Sequence, residues 1–228
     1  MDPLTFRHEY KHYINVFDVY PLVNRLDNIA KLDPHAREKG SYRIHSMYFD
    51  NDDDKALFEK ICGYNKREKF RLRYYDDRYD VVKLEKKSKI NGLCNKQSTA
   101  ISKEQCQLLI NGDYEWLKKE EDPLLLELYT KMVGHGIKPK TISSYQRVPY
   151  IYDVGNVRIT IDRYMETSLG SKDFFNLERP SVPIMNSNLM ILEVKYDAFL
   201  PDIIRDMIQI GDRSASAYSK YAMSRMYV

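Results

Sequence analysis

Five stretches of the chain place ionised side chains two residues apart, the spacing that puts neighbours on one face of a β-strand. They are Glu9-x-Lys11, Lys69-x-Arg71-x-Arg73, Lys83-x-Glu85-x-Lys87, Arg158-x-Thr160-x-Asp162 and Glu193-x-Lys195. In four of them the alternate positions are apolar: Phe70 and Leu72, Val82 and Leu84, Ile159 and Ile161, Leu192 and Val194. A one-sided sheet with its polar face in water gives the same alternation. Here, however, the polar face is almost wholly Arg, Lys and Glu, with few of the Ser, Thr, Asn and Gln residues that dilute a solvated face. Like charges held about 6–7 Å apart along a strand repel one another unless interleaved carboxylates or a bound polyanion neutralise them. The chemistry such a face serves is the grip on phosphate oxygens. Guanidinium supplies a planar fork of donors and ammonium a compact point charge.

The elements that must position these residues are mostly strands. Segments rich in Tyr, Val, Ile and Phe predict strands over 5–15, 41–50, 66–76, 79–88, 93–101, 140–153, 156–165 and 189–197. Helices are expected over 18–32, where Val19, Leu22, Val23, Leu26 and Ile29 form one stripe and Pro21 falls in the first turn. Others are expected over 52–62, after Ser102 with Gln105 completing a capping box, from Asp122-Pro123 to near Gly134, and over 201–210 and 214–226. The stretch 166–188 reads as a long loop, and long loops in compact domains are often functional. About eight strands suffice to close a barrel. The expected architecture is therefore a single α+β domain over 1–228: an eight-stranded, mainly antiparallel β-barrel tunnel with a charged lumen and helices packed outside.

Composition narrows the class without naming a ligand. Of 228 residues, 43% are hydrophobic and 30% charged, yet 36 Lys and Arg against 33 Asp and Glu leave a formal net charge of only +3. Bulk charge therefore disfavours a nucleic-acid module, and any basic site must be concentrated by the fold. Cys62, Cys94 and Cys106 fit neither a disulfide framework nor a zinc site, and a reducing, cytoplasmic location is expected. No signal-peptide core and no run of about 18 apolar residues is present. No Ser/His/Asp grouping, phosphate-binding glycine loop or kinase motif stands out. The 19 tyrosines are ordinary strand residues. By alternation His8 and His12 lie opposite Glu9 and Lys11, and Lys86 points outward.

In order along the chain, these motifs resemble the VTC (vacuolar transporter chaperone) catalytic domain of polyphosphate polymerases, a branch of the triphosphate tunnel metalloenzymes with a CYTH-like fold. Arg7 to Tyr13 resembles the family's opening E-x-K strand, and Ser46-Met47-Tyr48-Phe49-Asp50 its Y-F-D motif. Lys69 to Tyr75 resembles its R-x-R-x-Y strand, and Leu84-Glu85-Lys86-Lys87 followed by Lys96 its hairpin. Tyr145-Gln146-Arg147, Arg158 to Asp162, Leu192-Glu193-Val194-Lys195-Tyr196 and Ser219-Lys220-Tyr221 are similar to the remaining motifs. A single E-x-K is common; eight motifs in the family's order form a joint signal over nearly the whole chain.

The resemblance implies roles. Arg71, Arg73, Arg147, Lys87 and Lys220 would be catalytic. Phosphates would be held by these five residues together with Lys11, Lys96, Tyr145, Arg158, Lys195 and Ser219. Glu193 would hold Mn²⁺ or Mg²⁺, since hard cations prefer oxygen ligands and often use one or two carboxylates plus phosphate oxygens. Glu9 and Glu85 would serve either as weaker ligands or as anchors for neighbouring lysines. The implied activity is metal-dependent transfer of the γ-phosphate of ATP to a growing inorganic polyphosphate chain, in a tunnel open at both ends. A triphosphatase and a non-catalytic polyphosphate or nucleotide sensor are the rivals. Hydrolytic relatives carry E-x-E where this chain has Glu9-x-Lys11 and Glu193-x-Lys195, which argues against water activation. The chain has no room for the sensing and membrane modules of eukaryotic relatives. A stand-alone catalytic domain is expected, with association with a separate membrane protein left open.

Overall fold

The computed structural model describes residues 6–36, 38–168, 170–211 and 218–226. The eight expected strands are present as β1 His8–Asn15, β3 Tyr42–Asp50, β4 Lys66–Tyr75, β5 Arg78–Ile90, β6 Leu93–Ile101, β7 Lys138–Tyr152, β8 Val157–Thr167 and β10 Leu189–Tyr196. Two strands of two residues each, β2 Lys31–Leu32 and β9 Val182–Pro183, add to β7 and β8. The spatial order is β1-β10-β8-β7-β3-β4-β5-β6, and every pairing is antiparallel. The β5–β6 hairpin turns on Asn91 and Gly92, both at positive φ, the backbone that a tight two-residue hairpin requires.

The sheet curls until its edge strands meet, but no ladder closes it. The seam is one antiparallel bridge, Arg7 to Cys94, with backbone hydrogen bonds of 3.0 and 3.2 Å. The alternation decides which face goes where. Outward residues of β4 and β5, among them Phe70, Leu72 and Leu84, pack with Cys106, Leu109 and Leu128 from α3 Lys103–Asn111 and α4 Pro123–His135. Outward residues of β8 and β10, Ile159, Ile161, Leu192 and Val194, pack with Leu22 and Leu26 of α1 Val16–Leu26 and Ile204 of α5 Asp202–Met207. The lumen is not charged throughout. Ile44, Tyr145 and Ile191 share strand faces with charged lumen residues, and with Met165 and Tyr218 they form a third buried apolar cluster.

Several helix boundaries differ from expectation, each for a local reason. α1 begins at Val16 because the Asn15 side chain accepts from the Phe17 and Asp18 N–H groups while Asp18 answers the Asn15 N–H. Pro21 therefore sits at the sixth helical position, past the first turn. The helix ends at Leu26, and residues 31–32 leave to pair with Tyr150 and Ile151. α2 is only Lys55–Ile61, since the Asp50 carboxylate caps it through the N–H groups of Ala56 and Leu57. α4 runs on through Gly134 and stops at Gly136, which adopts a left-handed φ of 64°. α5 is shorter than expected. α6 is Lys220–Arg225, and the expected helical residues 214–217 lie outside the described ones.

The long loop is a packed strap. The buried Arg179 guanidinium donates to Ser168 Oγ (2.9 Å), Ser144 Oγ (2.6 Å) and the Asn176 carbonyl (2.7 Å), and Phe174 packs edge-on against Tyr74. Beneath it His45 stacks on Tyr74. Burial, with Arg179 and Arg43 nearby, pushes its imidazole down to about 3, so it is neutral at ordinary pH.

Candidate functional site

All twelve residues singled out by the sequence line one cavity of about 380 Å³ inside the curled sheet: Lys11, Arg71, Arg73, Lys87, Lys96, Tyr145, Arg147, Arg158, Glu193, Lys195, Ser219 and Lys220. Seven strands and the start of α6 supply them. They meet because period-2 alternation directs each strand's charged face inward while the apolar faces bury against helices.

Three buried carboxylates organise the cations, and Glu9 adds a fourth group. Glu85, opposite Arg71 in the β4–β5 ladder, takes Arg71 Nε at 2.7 Å and Nη2 at 2.6 Å, with Lys96 at 3.4 Å and Arg73 at 3.6 Å. Arg73 also donates to Tyr145 Oη (3.1 Å) and Ser46 Oγ (3.3 Å). Asp162 takes a bidentate pair from Arg147 at 2.6 and 2.7 Å and the Lys220 ammonium at 2.6 Å. Glu193 contacts Lys195, with Lys220 at 3.7 Å and Lys11 at 3.8 Å. Glu9 takes Lys11 and Lys87, each at 2.6 Å.

Burial acts to raise all four carboxyls, but the surrounding cations outweigh it and hold each below the usual carboxylate range. The cations are Arg71, Arg73 and Lys96 at Glu85, Arg147 and Lys220 at Asp162, Lys195, Lys11 and Lys220 at Glu193, and Lys11, Lys87 and Lys195 at Glu9. Around Lys195 the balance tips the other way. Burial outweighs Glu193 and Glu9 and pushes the ammonium down to about 8. Arg158 stands apart from these clusters, donating to Asp33 Oδ2 and Tyr42 Oη at 2.8 Å each. Ser219 caps α6 by accepting from the Ala222 N–H, which leaves its hydroxyl proton free to donate. The cavity wall carries eleven arginine and lysine side chains and three carboxylates, Glu9, Glu193 and Asp197. What this arrangement can do chemically is hold several phosphate groups in fixed places.

The family model of the VTC domain matches residues 6–228. The chain belongs to the VTC domain family. No curated protein matches it. Among solved structures, this VTC domain is similar to a Bacillus halodurans protein provisionally described as an adenylate cyclase. Identity is 11%, the TM-score is 0.52, and 90% of this chain and 87% of that one are covered. It is also similar to a Pyrococcus horikoshii OT3 protein, with 12% identity, a TM-score of 0.49, and 95% and 98% coverage. At these identities the first likeness speaks to the fold alone. No helix among the described residues is long and apolar enough to cross a membrane.

Among the described residues, no group of three or more His, Cys, Asp or Glu that could hold an ion converges. Glu193 fits a narrower role, that of one carboxylate holding a hard cation together with phosphate oxygens. Glu9 and Glu85 act as anchors for lysine and arginine.

Asp162, Lys69 and Asp33 were missed as site residues. Asp162 and Lys69 share strand faces with residues that were chosen, so alternation placed them inward. The signal absent from the sequence was that Asp162 meets Arg147 from the neighbouring strand and Lys220 from the final helix. Lys86 lies outside the barrel as read, yet it is not free. It contacts Glu127, pairs with Glu68 at 3.1 Å and sits over the Phe70 ring. His8 stacks on the outward Tyr196 ring with centroids 5.0 Å apart.

Proposed function

We propose that this VTC domain is a polyphosphate polymerase that moves the γ-phosphoryl group of ATP onto the end of an inorganic polyphosphate chain in its lumen. The observation that carries this reading is the surplus of lumen cations, eleven against the six carboxylates that line the cavity or pair with them (Glu9, Asp33, Glu85, Asp162, Glu193 and Asp197), with the arginines Arg71 and Arg147 positioned by Glu85 and Asp162. Phosphoryl transfer needs positioning and charge neutralisation more than covalent help from the protein. A terminal phosphate oxygen of the acceptor forms the new bond to the γ-phosphorus. The bond from that phosphorus to the β,γ-bridging oxygen breaks, and ADP leaves with the electron pair. The acceptor is already ionised at neutral pH, so no side-chain base is required. Arg71, Arg73 and Arg147 would orient the phosphates, and Lys11, Lys87, Lys96, Lys195 and Lys220 would neutralise them. A divalent cation held by Glu193 would supply further charge neutralisation at the phosphate oxygens.

One observation favours transfer over hydrolysis. Lys11 pairs with Glu9, and Lys195 with Glu193, so each lysine of the two E-x-K strands neutralises its own glutamate. With Glu9 occupied in this way and Glu193 assigned to one divalent cation, neither strand offers a free second carboxylate to hold another metal ion or to polarise a water. The test is incubation of purified protein with ATP and Mn²⁺ or Mg²⁺, resolved on a polyphosphate gel. A ladder is expected. Orthophosphate alone would mean a triphosphatase, and tight polyphosphate binding without turnover would mean a sensor.

A further inference from the structure

The lumen wall changes character along β4 and β5. Arg71 stands opposite Glu85, but the next inward pair is Lys69 opposite Lys87, and the one after it is Arg67 opposite Lys89. Across the following ladder Lys87 stands opposite Lys96, so a single row crosses three strands as Lys69, Lys87 and Lys96. Like charges directly opposite destabilise a sheet. Glu9 answers Lys87, and Glu85 answers Lys96. Among the described residues no carboxylate forms an ion pair with Arg67, Lys69, Lys89 or the nearby Lys60 of α2.

A smaller chamber of about 120 Å³ abuts the lumen at this place. Its wall shares Glu9, Lys11, Lys69, Lys87, Cys94 and Ser219 with the lumen and adds Lys60, Arg67 and Lys89. Glu68 also borders it, but that carboxylate is taken from the outside by Lys86 and Lys131. The crowding is felt by the lysines themselves. Burial, then Lys87, Lys11 and Arg71, push the Lys69 ammonium well below the usual lysine range, and burial with Arg67, Lys11 and Lys89 lowers Lys60. Tyr221 is the only ring bordering the chamber among the described residues, so the lining suits phosphate groups better than a nucleobase.

We propose that Lys60, Arg67, Lys69 and Lys89 form a subsite for phosphate groups of a polyphosphate chain that runs on beyond those gripped by Arg71, Arg73 and Arg147. The identity of the ligand rests on the function proposed above; the charge imbalance does not. The chamber is then where a chain longer than the lumen continues. Lys69 sits over the Tyr48 ring and Arg67 donates to the Tyr64 carbonyl, but the cations have no carboxylate partner among the described residues because the ligand supplies the counter-charge.

The test compares long-chain inorganic polyphosphate with tripolyphosphate, by calorimetry, on Lys60→Gln/Arg67→Gln/Lys89→Gln. The control removes as many exposed lysines elsewhere: Lys31→Gln/Lys118→Gln/Lys172→Gln. The subsite variant should lose about tenfold in affinity for the long chain at low salt and show a shallower dependence of log Kd on log salt, as fewer phosphates are contacted. Tripolyphosphate affinity should hold, and the control should keep both. Unchanged long-chain affinity would overturn the subsite, as would equal losses for both ligands or an equal loss in the control. A wild-type protein that binds neither ligand would instead remove the proposed function, and the subsite with it. A second variant guards against a folding artefact. Lys89→Gln relieves its repulsion with Arg67, so it should melt slightly higher without ligand and gain less from added long-chain polyphosphate. A lower ligand-free melting temperature with an undiminished gain would count against the proposal.

Discussion

Two parts of one lumen wall handle charge in opposite ways. Around Asp162 every charge is met: Arg147 and Lys220 close on it within 2.7 Å, and all three side chains are buried. Around Lys69 the cations outnumber their partners: Lys87 stands opposite and is answered by Glu9, but Arg67 faces Lys89 one step along, and no carboxylate among the described residues forms an ion pair with Lys69, Arg67 or Lys89. The first part is paired within the chain and is therefore rigid before any ligand arrives. The second is left incomplete. A buried ion pair adds little net stability, but breaking it by removing one partner is expensive. A like-charge pair costs stability from the outset. In the proposed polyphosphate site the two regions would divide the work into a part that holds shape and a part that takes up charge.

The largest effect that could break this comparison is Asp162→Asn. It leaves Arg147 and Lys220 buried without a counter-charge and should cost about 3–5 kcal/mol, read from denaturant unfolding. A loss within about 0.5 kcal/mol, as for a surface change, would show that the cluster is not a structural anchor. Next is Arg73→Lys, which keeps the charge but loses the fork that reaches Ser46, Tyr145 and Glu85. It should lower kcat/KM by an amount equivalent to about 2–4 kcal/mol. Activity within twofold of wild type would remove Arg73 as a placed clamp.

Smaller effects sharpen the contrast. Lys86→Ala, outside the barrel, breaks its pairs with Glu68 and Glu127 and should cost about 1 kcal/mol of stability with kcat unchanged. Lys69→Gln should do the reverse, adding about 0.5 kcal/mol to the ligand-free protein while weakening polyphosphate binding; a destabilised variant would contradict the unpaired reading. The smallest effect is set by Lys195. Burial places its ammonium near 8, below the usual lysine value, so between about pH 8 and 10.5 the unfolded chain holds a proton that the folded one has released. The Lys195 contribution to stability therefore rises with pH through that window. Polyanion affinity should fall over the same range, since the charged form is what binds. A titration in which affinity and stability move together would refute the assignment.

Much of this was legible in the residues. The eight long strands follow from period-2 alternation, and the twelve chosen side chains reach one cavity because alternation fixes their faces. What the sequence withheld depends on partners distant along the chain. The strands at 31–32 and 182–183 are too short to show a period and exist because the ends of β7 and β8 run past their neighbours β3 and β10 and leave backbone groups there to pair. Asn15 was read as the end of a strand, and its cap with Asp18 became visible only where β1 turns into α1. Lys69 could be placed inward, but that its cross-strand neighbour is Lys87 depends on register, which follows from the length of the β4–β5 connection.

The order of the strands has a consequence in time. β1, first in the chain, has β10 as its ladder partner, so Lys11 must wait for Glu193. At the usual pace of synthesis the gap between their appearance is roughly ten to forty seconds. For that interval the N-terminal strand is an open edge, the kind of surface that recruits other chains. Its Glu9 and Lys11, placed for the finished lumen, also make it a poor template for a stray neighbour. The residues that will line the site thus protect the growing chain before the site exists.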